Sequence, residues 1–142
     1  MALGTWARGM SGGMPKFIHL LGKEARLKII EVLAATRSHR EVAELLGVTP
    51  AAVTKYLSRR THPSDAVVAR ALEAATGDER RRIAEIIREE MLSGLKSYIE
   101  WALSEGLFTR EDLHKIEEVV YGSVLLSARP GRAPLPPGNP QL

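Results

Sequence analysis

An all-α fold is the architecture this sequence predicts: an N-terminal bundle of four to five helices containing two short helices in close succession, then a long helix and a final helix. Three observations predict it. Apolar residues recur at intervals of three and four from Leu20 to Val124, the period that lines one face of a helix. Short polar residues capable of capping helix N-termini stand at Ser38, Thr49, Ser64 and Thr109. No alternation of apolar and polar residues extends beyond a few positions, so no strand is marked, and no segment repeats.

The opening stretch MALGTWARGMSGGM has glycine at positions 4, 9, 12 and 13 and no amphipathic period, so residues 1–16 are expected to be flexible, with Met14 an alternative start to Met1. From Phe17 the pattern changes. Leu20, Leu21, Leu27, Ile30 and Leu33 recur at helical spacing and predict a first helical region that resumes near Gly22 and ends around Thr36. Ser38 with Glu41 three residues later forms a capping box, so a second helix runs from about His39 to Leu46. Gly47 follows where a positive φ costs little, and Thr49 caps a third helix over residues 50–58 that starts with Pro50.

Pro63 in RRTHPSD stops that helix, and Ser64 or Asp65 caps a fourth, carrying Val67, Val68, Ala71, Leu72 and Ala75 and ending near Gly77. Residues 17–77 are thus expected to form the first domain. Asp78 and Glu79 open the long helix, whose apolar positions 83, 87, 91, 95, 98 and 102 are widened by Ile86, Leu92, Ile99 and Leu103. Gly106 suits its C-cap, and Thr109 to Asp112 opens a final helix bearing Leu113, Ile116, Val120 and Val124. Residues 128–142 are expected to be disordered, because five prolines in the last fourteen residues leave too few apolar groups to offset the entropy of ordering.

Composition excludes several classes of chemistry. A chain of 142 residues with 44% apolar content can build one ordinary core. The absence of cysteine rules out disulfides, Cys-ligated zinc, iron–sulfur clusters and thiol nucleophiles. Apolar runs fall far short of the roughly 20 residues that cross a bilayer, and no signal-peptide core follows the N-terminus, so a cytoplasmic protein without a membrane partner is expected. Histidines at 19, 39, 62 and 114 have no i, i+4 partner for a metal. Glu89, Glu90, Glu117 and Glu118 read as solvated helix faces, and DERRRIAEIIREE as intrahelical ion pairing. No Ser/His/Asp order, phosphate loop or dinucleotide fingerprint is present; no enzyme and no cofactor are expected, and no effector pocket is legible.

Net charge is +3, but residues 1–77 carry eleven Lys or Arg against six Asp or Glu, whereas residues 78–142 carry nine against eleven. The N-terminal half is therefore the basic half, as a phosphate-binding surface would require. Within it, two short helices joined by a turn at Gly47 have the form of a helix-turn-helix. Ala43 permits close crossing, and Val42, Leu45, Leu46, Val48, Val53 and Tyr56 can fill the wedge. The same pattern also suits a helical hairpin with no ligand. Against that stands the outer face of the third helix, where Ala51, Thr54, Lys55 and Ser58 are small, polar or basic, with Arg59 and Arg60 just beyond.

The stretch SHREVAELLGVTPAAVTKYLSRRTHPSDAVVARALEAA resembles the lambda repressor/Cro-like (Cro/C1-type) helix-turn-helix family, both in VAELLGVTPAAVTKYL and in Pro63 followed by an Ala- and Leu-rich helix; the similarity covers about residues 22–76. LGKEARLKIIEVLAA also looks like the first helix of ArsR-type winged-helix regulators, but a wing requires a β-hairpin where residues 59–77 predict a helix.

The Cro/C1 resemblance implies a sequence-specific regulator of double-stranded DNA whose third helix enters the major groove. Thr49, Pro50, Ala51, Thr54 and Lys55 would face bases, and Ser38, His39 and Arg40 would lie near phosphate, with Ser58, Arg59, Arg60 and His62 extending the footprint. His39 and Pro50–Ala51 stand where the family often uses Gln, which weakens direct hydrogen-bonded readout there. The breadth of the long helix's apolar surface points to a homodimer through residues 78–127, with Ile87, Met91, Leu95, Tyr98, Ile99, Trp101 and Ala102 at the contact. The alternatives are an architectural, repeat-binding or antitoxin-type DNA binder, or a protein-interaction module in which the helix pair is structural.

Overall fold

The computed structural model describes residues 13–127 and 137–138. The flexible start and disordered tail expected above otherwise lie outside the described residues. Seven helices are present among them: α1 (Phe17–Leu20), α2 (Lys23–Ala34), α3 (His39–Leu46), α4 (Pro50–Leu57), α5 (Asp65–Ala74), α6 (Gly77–Ser104) and α7 (Arg110–Ser127). The fold is all-α, with no strand among the described residues. Helical hydrogen bonding begins before α1, where the Pro15 carbonyl accepts the Ile18 N–H at 3.2 Å.

The chain divides into two compact units, one up to Leu95 and the other from Lys96. The first unit has a single core. Ile18 from α1, Ile29, Ile30 and Leu33 from α2, Val42 and Leu46 from α3, Val53 from α4 and Val68 from α5 are fully buried. α6 enters this core through Ile83, and Ile86, Ile87 and Met91 pack half-buried against it. Successive turns of α6 thus serve as a lid on the first unit, which uses the i, i+4 spacing the sequence displays.

Two buried charged residues organise this unit. Arg26, 8% exposed, donates from its guanidinium to the carbonyls of Leu21 (2.9 Å), Ile18 (3.0 Å) and Pro63 (3.2 Å) and pairs with Asp65 at 2.6 Å. The Leu21 and Pro63 carbonyls lie outside the helices and find a partner here, while the Ile18 carbonyl also accepts the Leu21 N–H at 3.2 Å. Glu79 sits in the first turn of α6, where its Oε1 accepts the Thr76 backbone N–H and hydroxyl, both at 2.9 Å. Arg37 reaches it from beyond the end of α2, donating Nη2 to Oε1 at 3.0 Å and pairing Nη1 with Oε2. Hydrogen bonds from Arg37, and then from Thr76, outweigh burial and hold the Glu79 carboxyl at about 2.

The second unit holds the end of α6 and α7. The Ala102 carbonyl accepts the Leu107 N–H at 2.8 Å and Gly106 takes φ 68°, closing α6. Thr109 and Asp112 then cap α7 reciprocally: the Thr109 N–H donates to Asp112 at 2.8 Å and the Asp112 N–H to the Thr109 hydroxyl at 3.2 Å.

Candidate nucleic-acid interface

The helix pair is built by local chemistry that the residues dictate. At the start of α3 the Glu41 N–H donates to the Ser38 hydroxyl (3.2 Å) while the Glu41 carboxylate accepts the Ser38 N–H (3.0 Å). α3 ends at Gly47 with φ 67°, a left-handed conformation that favours glycine. A second reason demands glycine there. A Cβ at Gly47 would meet Arg70 Nη1 at 2.1 Å, because Arg70 reaches from α5 to donate to the Leu46 carbonyl at 2.9 Å. α4 then begins with Pro50 behind Thr49, whose hydroxyl accepts the Ala52 N–H at 3.1 Å.

Val42, Ala43, Leu46, Val53 and Tyr56 are buried between the helices and Val48 is half-buried. Leu45 is a correction to the expected wedge: it is 40% exposed. The buried arc of α3 is centred on Val42, Ala43 and Leu46, and at about 100° per residue Leu45 points roughly a quarter-turn away.

The residues expected to face DNA are all exposed: Ser38, His39 and Arg40 at the start of α3, Thr49, Pro50, Ala51, Thr54, Lys55 and Ser58 along α4, and Arg59, Arg60 and His62 after it. The two helices meet on this face where His39 Nδ1 lies 3.1 Å from the Thr54 hydroxyl. The same hydroxyl lies 3.1 Å from the Pro50 carbonyl one turn earlier. Arg40 is shared with Glu44 at 3.7 Å, a solvated pair that a phosphate can displace.

Arg59 is placed differently from its neighbours. It is the one non-glycine residue with positive φ (61°) among those described. It closes α4 in a Schellman arrangement, with the Arg59 N–H on the Tyr56 carbonyl (3.0 Å) and the Arg60 N–H on the Lys55 carbonyl (2.9 Å). Its guanidinium turns to α2, bonding Glu24 at 2.9 Å and Glu31 at 3.1 Å. The hydrogen bond from Arg59 holds the Glu24 carboxyl below the ordinary carboxylate range. Sequence reasoning missed these partners, although Glu24 and Glu31 stand seven residues apart, two turns along one face of α2.

Of the residues expected at a dimer contact, Ile87 and Met91 pack against the first unit's core, and Ala102 is buried in the second unit. Ile99 is half-buried, and Leu95, Tyr98 and Trp101 are exposed. No described helix is long and apolar enough to cross a membrane. Among the described residues no cluster of three His, Asp or Glu side chains is arranged to hold a metal.

A capped short helix, a left-handed glycine turn and a second capped helix with a small, polar and basic outer face make up a helix-turn-helix, the form that DNA-binding domains of this kind use. The helix-turn-helix family model matches residues 31–75, from the last turn of α2 to the residue after α5. That segment is a helix-turn-helix domain of the Cro/C1 type. No curated protein and no solved structure gives a significant match to the chain.

Proposed function

We propose that the protein is a sequence-specific regulator of transcription that binds double-stranded DNA as a homodimer, inserting α4 into the major groove. The observation that carries this reading is the exposed face on which Ala51, Thr54 and Lys55 of α4, with its C-cap Ser58, lie beside His39 and Arg40 of α3 and its N-cap Ser38, the two helices meeting at His39 and Thr54. Small side chains at the start of α4 let its backbone approach base edges, and a methyl such as that of Ala51 can lie against a thymine methyl. Lys55, Arg60 and Arg40 supply charge for phosphate, and His62 stands beside them as a hydrogen-bonding side chain. Arg59, committed to Glu24 and Glu31, acts in this reading through the position of the α4 terminus.

A second copy is supported by the apolar side chains left in water on the second unit, among them Trp101 (55% exposed), Val119 (70%) and Leu125 (71%). Large apolar side chains exposed in such number on one small unit mark an interaction site, and paired half-sites raise the affinity of a small reading head. Selection of duplexes from a random pool by the purified protein tests both parts. Two inverted half-sites separated by one helical turn, or a multiple of it, is the expected product. Enrichment of a single half-site would remove the dimer, and retention of all sequences alike would point to an architectural binder. Failure to retain any duplex would leave the helix pair as part of a protein-interaction module.

A further inference from the structure

We infer that Thr54 reads a base amino group, adenine N6 or cytosine N4, because its hydroxyl proton is already committed inside the protein. This rests on the proposal that α4 enters the major groove. A hydroxyl has one proton to donate and two lone pairs to accept with. The Thr54 hydroxyl lies 3.1 Å from the Pro50 carbonyl, which can only accept, and 3.1 Å from His39 Nδ1, which donates or accepts according to its tautomer.

Both tautomers lead to the same outcome. If Nδ1 carries a proton, it donates to Thr54, and the Thr54 proton goes to the Pro50 carbonyl; one lone pair remains. If Nδ1 is bare, the Thr54 proton goes to it or to Pro50, and at least one lone pair remains. In every case the exposed hydroxyl is offered to a ligand as an acceptor.

In the major groove the complementary groups are the amino groups of adenine and cytosine, whereas guanine O6 and thymine O4 are acceptors and would oppose the Thr54 lone pair. A threonine without such partners could turn its proton outward and accept either kind of base edge. The His39 and Pro50 contacts remove that freedom, so a residue that is usually permissive becomes discriminating.

The test compares duplexes selected by the wild-type chain, Thr54→Val and Thr54→Ser. Valine keeps the shape and the methyl but removes the hydroxyl; serine keeps the hydroxyl. The expected result is that T54V flattens one column in each half-site and that T54S keeps the wild-type preference there; since every base pair carries one major-groove amino group, adenine N6 or cytosine N4, base analogues show whether that group is the one read. A single net hydrogen bond sets the scale at roughly fivefold. A base-side measurement needs no variant: replacing the selected adenine by purine, or the cytosine by 2-pyrimidinone, removes only the amino group. It should weaken wild-type binding by a similar roughly fivefold factor and leave T54V unaffected. The inference is overturned if T54V selects the same profile as wild type, or if removing the amino group from the base pair in the column it flattens leaves wild-type binding unchanged. If the wild type enriches no duplex, the DNA-reading proposal itself fails and this inference falls with it.

Discussion

Arg37 and Glu79, 42 residues apart, form a two-pronged ion pair that fastens the start of α6 to the end of α2. Glu79 is 7% exposed and also accepts two hydrogen bonds from Thr76, so its carboxylate is stabilised from three directions. Because its pKa is lowered from 4.5 to about 2, the stability it contributes is fully present above 4.5 and is lost as pH falls towards about 2. Glu79→Gln should cost about 2 kcal/mol at neutral pH, below the roughly 3 kcal/mol of the whole displacement because water reaches part of the pair. Urea unfolding at pH 7 and pH 3 checks this: the variant should lose less stability between the two than the wild type does.

Gly47 tests whether the turn is set by backbone conformation, by Arg70, or by both. Gly47→Ala should destabilise the protein by about 1–2 kcal/mol through its left-handed φ alone, with a further cost from displacing Arg70. In a double-mutant cycle with Arg70→Ala, the combined loss should be smaller than the sum of the single losses, because the second variant removes the side chain the new methyl strikes. Thermal or urea unfolding of the four proteins supplies the cycle.

The two adjacent arginines should separate cleanly. Arg60→Ala is expected to weaken binding to all duplexes and reduce the slope of log K against log salt by about 1. Arg59→Ala should leave that slope unchanged and lower the melting temperature, since it loses Glu24 and Glu31 while keeping the unfavourable φ. Arg59→Gly, which tolerates that φ, should fall between Arg59→Ala and wild type in melting temperature. Salt titrations by anisotropy and melting curves give the two readouts.

Sedimentation equilibrium addresses the second unit. The wild type should have the mass of two chains, and a variant carrying Trp101→Glu and Val120→Glu should have the mass of one while retaining its helix content. Its affinity for a two-half-site duplex should drop at least tenfold, with single half-site binding little changed.

Helix order and caps were legible because they depend on local chemistry: Ser38 with Glu41, Gly47, Thr49 with Pro50, and Thr109 with Asp112 each act within a few residues. The outer face of α4 was legible from its period. What escaped was contact between distant parts of the chain. Arg26 reads in the sequence as one more charged residue of a helix, yet folding places it among carbonyls from Ile18 to Pro63. Arg59 reads as part of a basic cluster, but its direction depends on a left-handed φ and on two acids of α2. Ile87 and Met91 belong to the same stripe as Leu95 and Tyr98, and periodicity alone cannot divide a stripe between a core and an open surface.

The placement of α4 in the major groove can be measured most directly by tethered cleavage. The chain has no cysteine, so Ala51→Cys carries a single iron–EDTA label at the start of α4. On a selected duplex, cuts should be confined to the major-groove face of each half-site and should vanish when the label is moved to Ser93→Cys on α6. Uniform cutting along the duplex, or the same pattern from both labels, would contradict insertion of α4.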